Sequence, residues 1–247
     1  MDFRLLLDGN DFAARNMGID EAILLSGSPT LRLYGWDPPA VSIGFFQGIR
    51  QEVDIEICKE SGVDVIRRIT GGGAVFHEHE ITYSFVVSES AGLVSRNILE
   101  SYGQICGAVV SGLRRLGLRA EFKPINDIVV GNKKISGSAQ TRKNGVVLQH
   151  GTLLLDVNPK KMFSLLKVPN EKIRDKMIQA VEERVTSLNR ELGRILDYNS
   201  IQRALISGFK ENLDLDFVEG SLTDTEKKAA DDLYKNKYST RGWNFMR

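Results

Sequence analysis

Three stretches of the chain combine residue types able to handle an anionic or acylated ligand. The first, Arg67 to His77, reads RRITGGGAVFH. A flexible linker would continue in Gly and Ser, and a hairpin turn needs only one or two glycines, so the triple glycine asks for another explanation. Glycine lets backbone N–H groups approach a ligand closely, and successive inward N–H groups make an anion-binding concavity. Arg67 and Arg68 stand just before it, with guanidinium groups that pair with phosphate or carboxylate. A bulge between two strands flanked by solvated arginines explains the same residues.

The second stretch is NDIVVGNKKISGSAQ, with Asn126 and Asp127 opening a strand and Lys133 and Lys134 opening the next segment beside Ser136, Gly137, Ser138 and Ala139. A lysine among small residues reaches an anionic ligand as a compact point charge. Asp127 is a hard oxygen donor of the kind that holds Mg²⁺ against phosphates. A solvated Lys–Lys turn is the plainer reading. The third stretch, QHGTLLLD, sets His150 ahead of Gly151 and an apolar strand, either as a hydrogen-bonded core histidine or beside a closely approaching ligand.

Other chemistries find no support. No G-x-G-x-x-G can be written through the glycine run, because its sixth position is Phe76, and no G-x-x-x-x-G-K-[ST] occurs. Lysine and arginine number 33 against 32 acidic residues, a formal charge of +1, so no global field points to nucleic acid or an anionic membrane. Any anion site is therefore local. Cys58 and Cys106 lie far apart, outside any CxxC or Cys/His cluster, which points to packing residues without a disulfide partner. The N-terminus MDFRLLLDGNDF carries too short an apolar run for a signal core or a membrane span, and a cytoplasmic location is expected.

The elements that would position these residues follow from periodicity. ARNMGIDEAILLS, residues 14–26, has helical spacing; LRLYGW and AVSIGFF read as strands joined by Asp37-Pro38-Pro39. A short helix spans Asp54 to Ser61, and VDVIRR is a strand running into the glycines. AVFH and ITYSFVV are extended, and Asn97 to Leu116 is a long amphipathic helix. LRAEFK, DIVVGNKKISGSAQ and GVVLQHGTLLLDV are strands, and after Pro159 the chain reads as helical to its end. With 42% hydrophobic and 26% charged residues and no linker or repeat, the chain is expected to form one α+β domain over 1–247, with a central mixed, mostly antiparallel sheet flanked by helices.

In this order and spacing the three stretches, together with NMGIDEAILL, LRLYGWDPPAVSIGFFQ and KYSTRGWNF, resemble the lipoate-protein ligase A family of the biotin/lipoate ligase catalytic superfamily. The resemblance covers nearly the whole chain. It implies activation of lipoate or octanoate with ATP and Mg²⁺ to an acyl-adenylate (lipoyl-AMP), then transfer to a lysine of a lipoyl-domain protein. Acceptors of that kind are the glycine cleavage H protein or a 2-oxoacid dehydrogenase acyltransferase subunit. By position, Arg67, Arg68, Thr70, Gly71, Gly72, Gly73, Ala74, Val75, Phe76 and His77 match the loop that holds the adenylate, with Arg68 its nucleotide-binding arginine. Lys134 matches the catalytic lysine, whose loss would cost about 3 kcal/mol of transition-state stabilisation. Asp127 matches the acidic residue near Mg²⁺, while Asn126, Ser136, Gly137, Ala139, His150 and Gly151 match other pocket positions. An apolar tunnel for the acyl chain is expected along Phe45/Phe46 and ITYSFVV, at about 0.8 kcal/mol per buried CH₂.

Two departures qualify the resemblance. The chain ends soon after KYSTRGWNF, where many such ligases continue into a C-terminal accessory domain, so a separate accessory ligase subunit is expected to restore adenylation. A sister group, octanoyltransferases that draw on octanoyl-acyl carrier protein through a cysteine thioester, resembles the chain closely in ITYSFVVSE and GSAQTRKNGVVLQHG. Those enzymes place a cysteine ahead of the lysine strand or just before the HG of the last motif; here the corresponding stretches are LRAEFKPINDIVV and Leu148-Gln149. On that ground the ATP-dependent ligase is the expected activity and acyl transfer the alternative, with a non-catalytic lipoate-binding module as a third reading.

Overall fold

The computed structural model describes residues 2–247. The path opens with β1 (Asp2–Asp11), α1 (Ala13–Ser26), β2 (Thr30–Trp36) and β3 (Ala40–Ile43), followed by the short helices α2 (Ile49–Glu52) and α3 (Ile55–Glu60). Then come β4 (Asp64–Arg67), β5 (Val75–His77), β6 (Glu80–Ser88), α4 (Ile98–Arg115), β7 (Ala120–Lys123), β8 (Asp127–Val130), β9 (Lys133–Lys143) and β10 (Val146–Leu154). The last third holds α5 (Pro159–Leu165), α6 (Glu171–Arg184), α7 (Leu188–Leu192), α8 (Tyr198–Leu213), β11 (Asp216–Glu219), α9 (Asp224–Leu233), a π-helical turn (Tyr234–Tyr238) and α10 (Arg241–Asn244). No helix among the described residues is long and apolar enough to cross a membrane.

An eight-stranded sheet runs β11-β1-β2-β6-β10-β9-β8-β7, and a three-stranded sheet runs β4-β3-β5. In the large sheet β1 is parallel to β2 and β11, and the remaining pairs are antiparallel. This is the mixed, mostly antiparallel α+β architecture expected. The alternation of β6 sorts the two faces. Ile81, Tyr83, Phe85 and Val87 join the large core beneath α4 and α8, whose Ile105, Val109, Leu205 and Phe209 complete it. Val86 turns to the opposite face, where Ile19, Ile23 and Leu24 of α1 pack with Ala230 of α9. Glu80 and Thr82, also on that face, line the cleft described below.

Two elements differ from the sequence reading. DFVE at 216–219 is a strand inside a region read as helical; its four residues carry no period of their own, and only pairing alongside β1 defines them. The strand expected over Ala40 to Phe46 stops at Ile43, because the chain at Gly44 must slip beneath the glycine loop.

The two ends of the fold are tied by a charge. Both carboxylate oxygens of Glu226 on α9 receive Arg4 of β1, at 2.5 and 2.7 Å, and Ser26 and Thr223 donate as well. Burial pushes this carboxyl up, but the hydrogen bonds from Arg4, Thr223 and Ser26 outweigh it and hold the pKa at about 2, below its ordinary 4.5. Because the folded-state value is depressed, the stabilisation is complete above about pH 4.5 and is lost as pH falls through about 2. Glu226→Gln should therefore lower the melting temperature at neutral pH, with the gap to the parent closing as acid is added; a gap independent of pH would point to packing alone.

Candidate active site

The small sheet explains the triple glycine. β4 and β5 lie on opposite sides of β3, so residues 68–74 must cross the end of β3, and the segment is neither a hairpin nor a bulge. The crossing is close: a Cβ on Gly44 would sit 2.1 Å from the Gly72 carbonyl oxygen, and Gly72 has φ +97°, a region that favours glycine. Phe45 N–H donates to the Thr70 carbonyl at 2.9 Å and closes the passage.

Arg68 braces the loop from within. Its Nη2 donates to the carbonyls of Gly71 and Gly73 at 2.8 and 2.7 Å, and its Nη1 to the Ser42 carbonyl and hydroxyl at 3.1 and 3.0 Å. No carboxylate pairs with Arg68 among the described residues, and burial pushes its pKa down to about 10. With those carbonyls drawn inward, the N–H groups of Gly71, Gly72 and Gly73 donate to no other protein group among the described residues. A buried, uncompensated cation beside free N–H groups is an environment for an electron-rich oxygen.

Two chains of hydrogen bonds, each hydroxyl to histidine to carboxylate, stand beside the loop. In one, Ser42 Oγ meets His77 Nε2 at 2.7 Å and His77 Nδ1 meets Glu80 at 2.8 Å. Thr82 also donates to Glu80 and in turn accepts the Trp36 indole N–H, while the His77 ring stacks on Trp36 at 4.0 Å. In the other, Thr70 Oγ1 meets His150 Nε2 at 2.7 Å and His150 Nδ1 meets Asp20 at 3.1 Å. Asp20 also receives Arg32 at 2.9 Å and the Tyr34 hydroxyl at 3.0 Å. Burial pushes the Asp20 carboxyl up, but the His150 hydrogen bond and the Arg32 charge prevail and its pKa is lowered. An ionised Asp20 can only accept, so the Nδ1 hydrogen of His150 points at it.

Ser42, His77, Glu80, Thr82, Trp36, Tyr34 and His150 of these networks line a cleft of about 330 Å³ between the large sheet, the small sheet and α6. Its lining combines Arg68, Gly72, Gly73, His77, Asn126, Lys134 and His150 with the apolar Leu154, Val157, Met162, Val181 and Val185. It is not the tunnel expected along Phe45, Phe46 and ITYSFVV: Phe46 is 70% exposed on the outside, and the apolar residues of β6 face the core beneath α4.

Of the residues singled out from the sequence, Arg68, Gly72, Gly73, Ala74, Val75, Phe76, His77, Asn126, Lys134, Gly137, Ala139, His150 and Gly151 come together at the cleft. Arg67, Thr70, Gly71, Asp127 and Ser136 are not among its lining residues. Arg67 is fully buried behind the site, donating to the carbonyls of Gly44, Phe45, Gln47, Trp243 and Asn244. Sequence reasoning passed over Asp20, Ser42, Trp36 and Glu80; an acidic pair, Asp20-Glu21, set inside the apolar helix NMGIDEAILL was the signal available for the first.

Lys134 Nζ lies 2.6 Å from Asp127 Oδ1 in an ion pair. Asp127 thus faces an ammonium, and no group of three or more His, Cys, Asp or Glu side chains that could hold a metal occurs among the described residues. This donor set does not fit a resident Mg²⁺ cage. Cys58 and Cys106 are free and fully buried, neither lines the cleft although Cys106 Sγ lies 3.7 Å from the hydroxyl of the lining Ser138, and burial pushes both thiols up to about 11.

A cleft that joins a glycine loop with free N–H groups, a lysine ammonium and apolar lining on this mixed sheet is the ground for comparison with known catalytic domains. Residues 13–210 match the lipoyl protein ligase A/B catalytic domain, and the chain belongs to that family. It is 40% identical to octanoyltransferase LipM of Kyrpidia tusciae, over 99% of each chain, and 37% identical to that of Anoxybacillus flavithermus, over 99% of this chain and 98% of the relative. These alignments extend over 272 and 273 positions, so the relatives carry insertions that this 247-residue chain lacks. Among solved structures it is similar to a bi-partite lipoate protein ligase of Thermoplasma acidophilum, studied with its E2 lipoyl domain (36% identity, 99% and 96% coverage, TM-score 0.92). Lipoate-protein ligase A bound with ATP is also similar (33% identity, 99% of each chain, TM-score 0.86).

The protein is therefore an enzyme of the lipoate ligase and transferase family. The expectation of an ATP-dependent ligase is corrected by the curated relatives, which are octanoyltransferases over the full chain. That expectation rested on the missing cysteine positions, and one residue type weighs less than similarity along the whole chain.

Gly137 keeps room for Lys134: a Cβ there would fall 2.8 Å from both Cε and Nζ. The obstruction is the flexible tip of a side chain, so the fold tolerates the methyl and the ammonium moves. Gly137→Ala should keep the parent melting temperature while cutting kcat about tenfold or more, the scale of a displaced preorganised donor; an unchanged rate would separate Gly137 from the placement of Lys134.

Proposed function

We propose that this chain is an octanoyltransferase of protein lipoylation, moving an eight-carbon acyl group from a carrier-protein thioester to the ε-amine of a lysine on a lipoyl-domain protein. The full-length similarity to octanoyltransferases carries the reading, and the mixed lining of the cleft supports it. In this reading the acyl chain packs on apolar lining residues such as Met162, Val181 and Val185, with the thioester carbonyl toward Lys134 and the glycine-loop N–H groups, which line the same cleft. Charge developing on that oxygen meets donors that are already in place.

Neither cysteine lines the cleft, and burial raises both thiols to about 11; in this reading the acceptor amine attacks the thioester carbon directly. The C–N bond forms, the C–S bond breaks, and the amine proton leaves with the carrier thiol. Octanoate, or lipoate of the same chain length, is thus a substrate group. Neither ATP nor Mg²⁺ is consumed, and no accessory subunit is required.

The test incubates the purified chain with octanoyl-carrier protein and an apo-lipoyl domain in the absence of nucleotide and reads the mass of the domain. An octanoylated domain is expected, with Lys134→Ala slowing its appearance about a hundredfold or more. Modification only from free octanoate with ATP would overturn the reading.

A further inference from the structure

We propose that His77, reached through the Ser42 hydroxyl, is the base that takes the acceptor amine's proton during acyl transfer and hands it to the departing carrier thiol. This role rests on the acyl-transfer reading, in which that proton has no carrier yet. Lys134 faces the thioester carbonyl there as an ammonium, and a protonated amine has no lone pair with which to accept a proton. The base is then another group of the cleft lining.

Two histidines of the lining sit in hydroxyl-to-carboxylate chains, and their carboxylates differ. Asp20 behind His150 already has a permanent cation, Arg32 at 2.9 Å, and receives the Tyr34 hydroxyl as well. Glu80 behind His77 pairs with no lysine or arginine among the described residues, and its Oε2 has no hydrogen-bond partner although the side chain is only 1% exposed. A buried carboxylate in that state gains most when a positive charge forms beside it. Protonation of His77, 2.8 Å away, supplies that charge. The hydroxyls differ too: Ser42 lines the cleft, and Thr70 does not. The remaining histidine of the lining, His79, has a 61% exposed side chain and lies 3.6 Å from Glu78, too far for a hydrogen bond to orient it.

The Ser42–His77–Glu80 chain is set for a relay. Glu80 Oε1 accepts the Thr82 hydroxyl, whose oxygen takes the Trp36 indole N–H, and the same Oε1 takes the Nδ1 hydrogen of His77. A neutral ring then offers Nε2 to the Ser42 hydroxyl at 2.7 Å. One lone pair of Ser42 Oγ receives Arg68 at 3.0 Å, which leaves the other for an incoming N–H. Ser42 and His77 are 1% and 5% exposed, so the relay is shielded from bulk water. In the transfer the amine nitrogen bonds to the thioester carbon, its proton passes to Ser42 Oγ, and the hydroxyl proton moves to His77 Nε2. The C–S bond then breaks with its electron pair on sulfur, and the proton returns by the same route to give the free thiol. His77 ends neutral, and Glu80 is a positioning residue that stabilises the imidazolium between the two steps.

The experiment follows octanoyl transfer from octanoyl-carrier protein to an apo-lipoyl domain by the full chain without nucleotide, and separates kcat from KM for Ser42→Ala, Glu80→Gln and His77→Ala. Ser42→Ala and Glu80→Gln should each lose about tenfold or more in kcat while KM for both proteins stays at the parent value. His77→Ala should lose about a hundredfold or more, and added imidazole should restore part of the rate, increasingly so with basicity across a series of substituted imidazoles. A group that only supports the fold would raise KM as well and gain nothing from added base. Glu80→Gln keeps the side-chain volume and decides the matter should His77→Ala fold poorly. Parent kcat in Ser42→Ala or Glu80→Gln overturns the proposal, as does rescue that is indifferent to basicity. A parent chain that transfers nothing from the thioester overturns the assigned reaction and this role with it, whereas transfer at a rate that the variants share overturns this role alone.

Discussion

The crossing of residues 68–74 over the end of β3 is the constraint from which the site follows. Once β4 and β5 flank β3, the connecting loop must travel sideways across a strand end with no room for side chains at the point of contact. Arg68 turns that passage into a shaped surface by gathering the Gly71 and Gly73 carbonyls around its guanidinium. Removing a cation of this kind from water is costly, and neutral oxygens compensate only in part. The residual positive field is directed at the one side of the loop left open, which is the cleft.

The two histidine chains perform a complementary task. Asp20 and Glu80 each hold one ring nitrogen and a hydroxyl holds the other, so both imidazoles are fixed in orientation. Their hydroxyls belong to the glycine-loop region: Thr70 precedes the glycines, and Ser42 supports Arg68. Histidine, loop and arginine thus form one connected polar layer, laid over an apolar sheet that supplies its rigidity. Buried polar networks of this sort specify geometry, one Glu80 oxygen remaining unpartnered, and Lys134 stands beside them paired with Asp127.

Much of this was readable from sequence where the signal is local. The period of Asn97 to Leu116 placed α4 within a residue at each end, and the three motifs delivered most of the cleft lining. What failed was everything defined by a distant partner. DFVE is a strand only because β1 lies beside it. Arg67 and Arg68 are adjacent and chemically identical, yet strand alternation sends one behind the sheet and one into the cleft, a division that needs the three-dimensional frame. Apolar lining was sought along the most apolar strand, but that strand spends its hydrophobicity on the core; the cleft borrows Met162, Val181 and Val185 from segments with little apolar character of their own. The expected reaction erred because it weighed a local cysteine position above the character of the whole chain.

The segment around Tyr238 and Asn244 has a consequence for the order of assembly. Glu21 of α1 receives Lys237 and Tyr238, and Asn244 receives the Arg67 N–H while donating to Tyr238. Elements that leave the ribosome early are thus anchored by residues made long after them. Domains generally fold as units once their sequence is out, and here α1 and β4 find their last hydrogen-bond partners only when that segment has followed them.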